Sequence, residues 1–168
     1  MARSVLVITG AAATGKTTVG GALREDPSLL VIDGDVMGQG AAAVAGTERD
    51  YVAFWRHLLA VAQEVRANGL VPVYTCICLP EQVIAAATHE TIHFLALISD
   101  SAEIRTRLHE RDPANSRPSV QKHSDFNAQL RMCTVPPPHT IAFHDVSANE
   151  IQTSVAKAHR WARQAIKS

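Results

Sequence analysis

Five short apolar runs punctuate the chain, and each is followed by a polar or amphipathic stretch long enough to hold a helix. Their nearly continuous Val, Leu and Ile content predicts parallel strands covered on both faces. The runs place strands at Ser4–Thr9, Leu29–Ile32, Leu70–Cys76, Ile92–Ile98 and Thr140–His144. Between them, a helix can open over Thr17 to Arg24. A long insertion, residues 36–69, separates the second and third strands, and its half from Asp50 to Ala67 has helical spacing ended by Asn68-Gly69. Pro80 suits the first turn of a helix running to Ala87. Ser101–Glu110 predicts another helix, then a polar segment from Arg111 to Pro118. Pro136-Pro137-Pro138 breaks any helix before the last strand, and Glu150–Ile166 closes the chain as a helix. Strands alternating with helices predict a three-layer α/β/α fold with a five-stranded parallel sheet.

Length and composition narrow this picture. At 168 residues the chain suits one domain, residues 1–168, large enough to bury its own core. Sixteen Lys and Arg balance sixteen Asp and Glu, so no net field draws it to nucleic acid or to an anionic membrane. No apolar stretch reaches the length of a bilayer span, and the run after Arg3 is too short for a secretory signal. A cytoplasmic protein is expected. Cys76 and Cys78 alternate on a strand and read as buried thiols, and with Cys133 they form no disulfide framework.

Directly after the first strand comes Gly10-Ala11-Ala12-Ala13-Thr14-Gly15-Lys16-Thr17-Thr18, a complete G-x-x-x-x-G-K-[ST] phosphate-binding loop in its strand–loop–helix context. Small residues there let successive backbone N–H groups curl around a phosphate, helped by the positive end of the helix. Lys16 would reach the β- and γ-phosphates of a nucleoside triphosphate, and the Thr17 hydroxyl would ligate Mg²⁺. ATP and Mg²⁺ are therefore the expected co-substrate and ion.

Asp33-Gly34-Asp35 follows the second strand. Asp33 is a candidate for holding Mg²⁺ directly or through water. Asp35 is a candidate for orienting an attacking hydroxyl and taking its proton. Arg111 and Arg117 lie in the polar segment after the fourth strand's helix, where arginines can neutralise a transferring phosphoryl group. Arg105 and Arg107 stand one to two turns earlier, Arg105 reading as a solvated helix residue beside Glu103 and Glu110. Phe54 and Trp55 read as core or wall residues. Arg56 suits gripping an acceptor, and equally suits a plain surface position. A rival pattern, His89-Glu90-Thr91-Ile92-His93, matches H-E-x-x-H, which needs one continuous helix. Here it runs into an apolar strand, so its two histidines should part.

With these residues in place, the chain resembles the small P-loop kinases, the group of adenylate, shikimate and gluconate kinases and chloramphenicol phosphotransferase. The resemblance rests on Gly10–Thr17, Asp33-Gly34-Asp35 and the Arg-Leu-x-x-Arg pattern of Arg107 to Arg111, with element order matching over nearly the whole chain. Phe54-Trp55-Arg56 is similar to the Phe-Arg acceptor-binding segment of shikimate kinase. Asn68 to Val73 and Leu79 to Gln82 are similar to a subgroup described as nucleoside or nucleotide kinases. The resemblance implies a P-loop NTPase fold with a short lid near residues 111–123 carrying Arg111 and Arg117. It also implies Lys16 and Thr17 serving ATP·Mg²⁺, and Asp35 and Arg56 facing the acceptor. Thr75-Cys76-Ile77-Cys78 departs from the Asp-Gly of adenylate kinase, and no glycine cluster of the shikimate kinase type follows the third strand. No N-K-x-D stretch of a guanine-nucleotide switch occurs.

A carboxylate at Asp35 suits a hydroxyl acceptor, such as a nucleoside, a sugar-like metabolite or an antibiotic. The expected partner is that small molecule. A phosphate acceptor, as in nucleoside monophosphate kinases, is the alternative within enzymes. A nucleotide-dependent switch or binding protein is the alternative outside them.

Overall fold

The computed structural model describes residues 4–37, 50–111, 113, 116–147 and 150–167, with residues 116–119 described by backbone alone. The strands are β1 (Ser4–Gly10), β2 (Leu29–Asp33), β3 (Val71–Cys76), β4 (Thr91–Ile98) and β5 (Thr140–Asp145). The helices are α1 (Lys16–Leu23), α2 (Tyr51–Ala67), α3 (Pro80–Ile84), α4 (Ser101–Arg111), α5 (Ser116–Arg131) and α6 (Ile151–Lys167). The strands pair in parallel in the order β2-β3-β1-β4-β5. The expected α/β fold with its five-stranded parallel sheet is what the chain adopts.

Period-two alternation sorts the core onto the two faces of that sheet. Leu6 and Ile8 of β1, with Leu95 and Leu97 of β4, pack against Val19 and Leu23 of α1 and Ala158, Trp161 and Ala162 of α6. Val5 and Val7, with Tyr74, Ile92 and Phe94, pack against Trp55, Leu58, Leu59 and Ala62 of α2 and Val83 of α3. The spacing 55, 58, 59, 62 is the apolar stripe of an amphipathic helix. Asp50 caps α2 by accepting from Ala53 N–H at 2.9 Å.

Every strand points its carboxyl end to one side. The connections leaving the adjacent strands β1 and β4 run in opposite directions, toward β2 and toward β5. A crevice opens at such a switch of strand order.

The sequence pattern predicts no helix at α5. Residues 116–131 form a full helix, which takes in part of the segment 111–123 expected as a short lid. Its apolar residues are sparse, which hides the helical period. Its position comes instead from contacts across the fold: the Asn127 side chain accepts from Ser99 N–H at 3.0 Å and donates to Ser99 O at 2.7 Å, just past β4. Leu130 is fully buried against Ala96 and Ile98. Residues 38–49, in the first half of the expected insertion, lie outside the described residues.

Candidate functional site

At the carboxyl end of β1 the chain turns through a tight loop. A Cβ on Gly10 would lie 2.6 Å from both Leu97 O and Thr14 Oγ1, so this position has no room for a side chain. Ala13 and Gly15 both take left-handed backbone, with φ of 64° and 89°. Alternation of left- and right-handed residues turns consecutive N–H groups toward one point, which makes an anion cradle. Gly15 accepts that conformation freely, whereas Ala13 holds it at a cost of about 1 kcal/mol. The Thr14 hydroxyl donates to Ala11 O at 2.9 Å and pins the loop.

Lys16 leads α1 and folds back, its Nζ donating to Ala11 O at 2.9 Å. Its side chain is nearly enclosed, 7 % exposed. Burial lowers its pKa, opposed chiefly by the carboxylate of Asp35. The buried cation is thus held by a carbonyl, within the field of the Asp35 and Asp33 carboxylates.

The two carboxylates after β2 have distinct anchors. Asp33 Oδ1 accepts from Asp35 N–H at 3.0 Å and Val36 N–H at 3.1 Å, capping the helical turn at residues 34–37. Asp35 Oδ1 accepts from Ile77 N–H at 2.8 Å, which ties it to the end of β3. Gly34 between them lies against Cys76, where a Cβ would come within 3.2 Å of the cysteine Cβ. Hydrogen bonding with Cys78, then burial and the nearby Asp35 carboxylate, push the Cys76 thiol pKa up. Cys76 and Cys78 are both buried free cysteines, as anticipated, although Cys78 lies just past the end of β3.

Together these residues line a cavity of about 840 Å³. Its floor is Ala12 to Thr18, with Asp33 at the end of β2 and Asp35 just past it. Val36, Tyr51, Ile77, Leu79 and Gln82 line it as well. So do Arg107, Val146, Ile151 and Ser154, with Arg107 bound to Ala13 O and Val146 O. Arg111, Lys122 and His123 close the side formed by α4 and α5. A volume of this order suits a nucleotide-sized ligand.

Of the residues singled out from sequence, Gly10 is packed beneath the loop, while Lys16, Thr17, Asp33, Asp35 and Arg111 meet around the cavity. The Arg117 side chain lies outside the described residues. Arg56 is exposed on α2 and is not among the residues lining the cavity, because the inward stripe of that helix belongs to Trp55, Leu58 and Leu59.

Two contributors had no site role assigned from the sequence. Arg107 donates to Glu103 Oε1 at 2.6 Å, to Ala13 O at 3.3 Å and to Val146 O at 3.3 Å, so it braces α4, the phosphate loop and the end of β5 at once. Its place in the Arg-Leu-x-x-Arg pattern was the available signal. His123 accepts from Ala12 N–H through Nδ1 at 3.4 Å. Nothing in its spacing announced it.

The H-E-x-x-H residues do part as expected. Strand β4 begins at Thr91, and His93 Nδ1 meets Thr140 Oγ1 at 2.9 Å inside the sheet. Glu90 accepts from Thr88 N–H and His89 N–H, each at 3.1 Å, and from Gln63 at 3.3 Å, with Arg66 at 3.7 Å. It is a buried strut.

A parallel sheet in this order, with a phosphate loop between β1 and α1, defines the P-loop kinase fold. Solved structures agree. A sugar kinase from a Janibacter species is 18% identical over 97% of this chain and 95% of its own, with a TM-score of 0.74. A gluconokinase from Sinorhizobium meliloti is 21% identical over 98% and 95%, at a TM-score of 0.61. The tunicamycin resistance protein of Deinococcus radiodurans is 18% identical over 96% and 95%, at 0.60. No protein-family model and no curated protein sequence matches the chain. Among the described residues, no helix is long and apolar enough to cross a membrane.

Proposed function

We propose that the chain is a single-domain, ATP-dependent phosphotransferase that moves the γ-phosphoryl group to a hydroxyl of a small acceptor. The observation that carries this reading is the convergence of Lys16 and Asp35 on one cavity above a loop of anion-cradling backbone. The triphosphate lies along Ala12 to Thr18. Its base reaches toward Val146 and Ile151, where the planar Arg107 guanidinium offers a stacking surface.

Thr17 and Asp33 supply a hydroxyl and a carboxylate at the loop, the hard oxygen donors that suit Mg²⁺, a cation that needs few protein ligands. When bound, the ion supplies neutralisation of phosphate charge. Asp35, held by Ile77 N–H, orients the acceptor hydroxyl and receives its proton as the oxygen attacks. Lys16, Arg111 and Arg117 stabilise the charge that spreads over the transferring group.

The Asp35 carboxylate, fixed by Ile77 N–H, favours a hydroxyl over a phosphate acceptor, because it can take a hydroxyl proton and would repel a phosphate dianion. The neighbours named sugar kinase and gluconokinase point to hydroxylated acceptors as well. Reduced thiols at Cys76, Cys78 and Cys133 suit the cytoplasm, where ATP is supplied.

The test is a screen of nucleosides, nucleotides, sugars and hydroxylated antibiotics for ADP release, with the product weighed by mass spectrometry. Acceptor-stimulated ADP formation and a phosphorylated hydroxyl are expected. Stimulation by nucleoside monophosphates alone would move the reading to a phosphate acceptor. ADP release indifferent to every acceptor would leave a nucleotide-driven switch.

A further inference from the structure

His123 stands on α5, and the clamp of Asn127 on Ser99 fixes that helix over the phosphate loop. The imidazole is half-buried and lines the cavity. A backbone N–H can only donate, so Nδ1, which receives the Ala12 N–H, is unprotonated and the ring proton rests on Nε2. That amide belongs to the cradle. An incoming phosphate oxygen competes for the same N–H.

Four charged groups act on the ring: Lys16 at the start of α1, Arg111 of α4, Lys122 of its own helix and Asp35 past the end of β2. All four line the cavity, and phosphoryl transfer is proposed among them.

Resting on the nucleotide reading above, we infer that His123 is a ligand of the terminal phosphate, releasing the Ala12 amide to the nucleotide and turning its own ring N–H groups toward the γ-phosphate oxygens. Burial, aided by Lys16, Lys122 and Arg111, lowers the His123 pKa. A triphosphate placed among those cations reverses the local field and favours the doubly protonated ring. The histidine thereby separates triphosphate from diphosphate, since only the former presents γ-oxygens.

Calorimetric binding of ADP and of an ATP analogue with a methylene β–γ bridge, each with Mg²⁺, tests this in wild type, His123→Ala and His123→Asn. Both variants should lose about tenfold in affinity for the triphosphate and keep that for ADP. Asn serves because it can still accept from Ala12 N–H, which protects the fold, yet cannot gain a proton. In wild type, the His123 imidazole resonance followed by NMR should titrate at higher pH with the triphosphate analogue than with ADP. An equal change for both nucleotides, or an unaltered triphosphate affinity with an unmoved titration, overturns the inference and leaves the phosphotransferase reading standing. Wild type that binds neither nucleotide overturns both.

Discussion

Single side chains in this cavity are defined by what holds them. Asp33 and Asp35 are two positions apart and have the same chemistry, yet one caps a helical turn and the other is tied to Ile77 at the end of the neighbouring strand. Their proposed roles follow from those anchors. Asp35→Asn keeps the acceptor geometry for Ile77 N–H and removes the proton-accepting charge. Turnover with a hydroxyl acceptor should fall by roughly 10²–10⁴-fold while nucleotide affinity stays near wild type, measured by steady-state kinetics and calorimetry. An undiminished rate would mean that no base acts at this position. Arg107 illustrates the converse. Arg111 and Arg117 lie in a polar segment that a local reading can single out, whereas Arg107 joins its i,i+4 partner Glu103 to Ala13 O and Val146 O, two contacts that no local pattern displays.

Among the elements, the loop after β1 tolerates least. Adding one methyl group at Gly10 drives it into the Leu97 carbonyl, which belongs to β4 and cannot swing aside. Gly10→Ala should therefore cost about 1–3 kcal/mol of stability in denaturant titrations and weaken nucleotide binding as the loop shifts. The other exposed dependence is the start of β4. Burial opposes the charged form of Glu90, yet the His89 and Thr88 amides and Gln63 outweigh it and hold its pKa at about 2, against an ordinary 4.5. The folded state thus binds fewer protons than the unfolded one across this range. The stabilisation is complete above the unfolded value and is lost as pH falls through the window from 4.5 to about 2. The melting temperature should decline over that window, and Glu90→Gln should flatten the decline while lowering stability near neutrality. A parallel decline in the variant would assign the acid sensitivity elsewhere.

For the molecule as a whole, the sheet and both helix layers are organised around the carboxyl ends of the strands, so a ligand there couples to global stability. At a nucleotide concentration of about 100 Kd, linkage gives ~2.7 kcal/mol, which corresponds to a rise of roughly 5–10 °C for a domain of this size. ATP with Mg²⁺ should produce that shift in wild type and none in Lys16→Ala, followed by calorimetry or dye fluorescence. What the sequence alone determined is local or periodic. Nearly continuous apolar runs marked the strands, because a strand covered on both faces needs apolar side chains on each. Gly10 to Thr18 announced the cradle, because its backbone conformation depends on neighbours in sequence. Tertiary packing decided the rest. Helix α5 has too few apolar residues to show a period and owes its position to Asn127 gripping Ser99, 28 residues away. His123 meets Ala12 across 111 residues, and Arg56 turns outward because Trp55 beside it claims the core. Contacts between segments so distant in the chain depend on how helices settle against the sheet, and no window of sequence contains both partners.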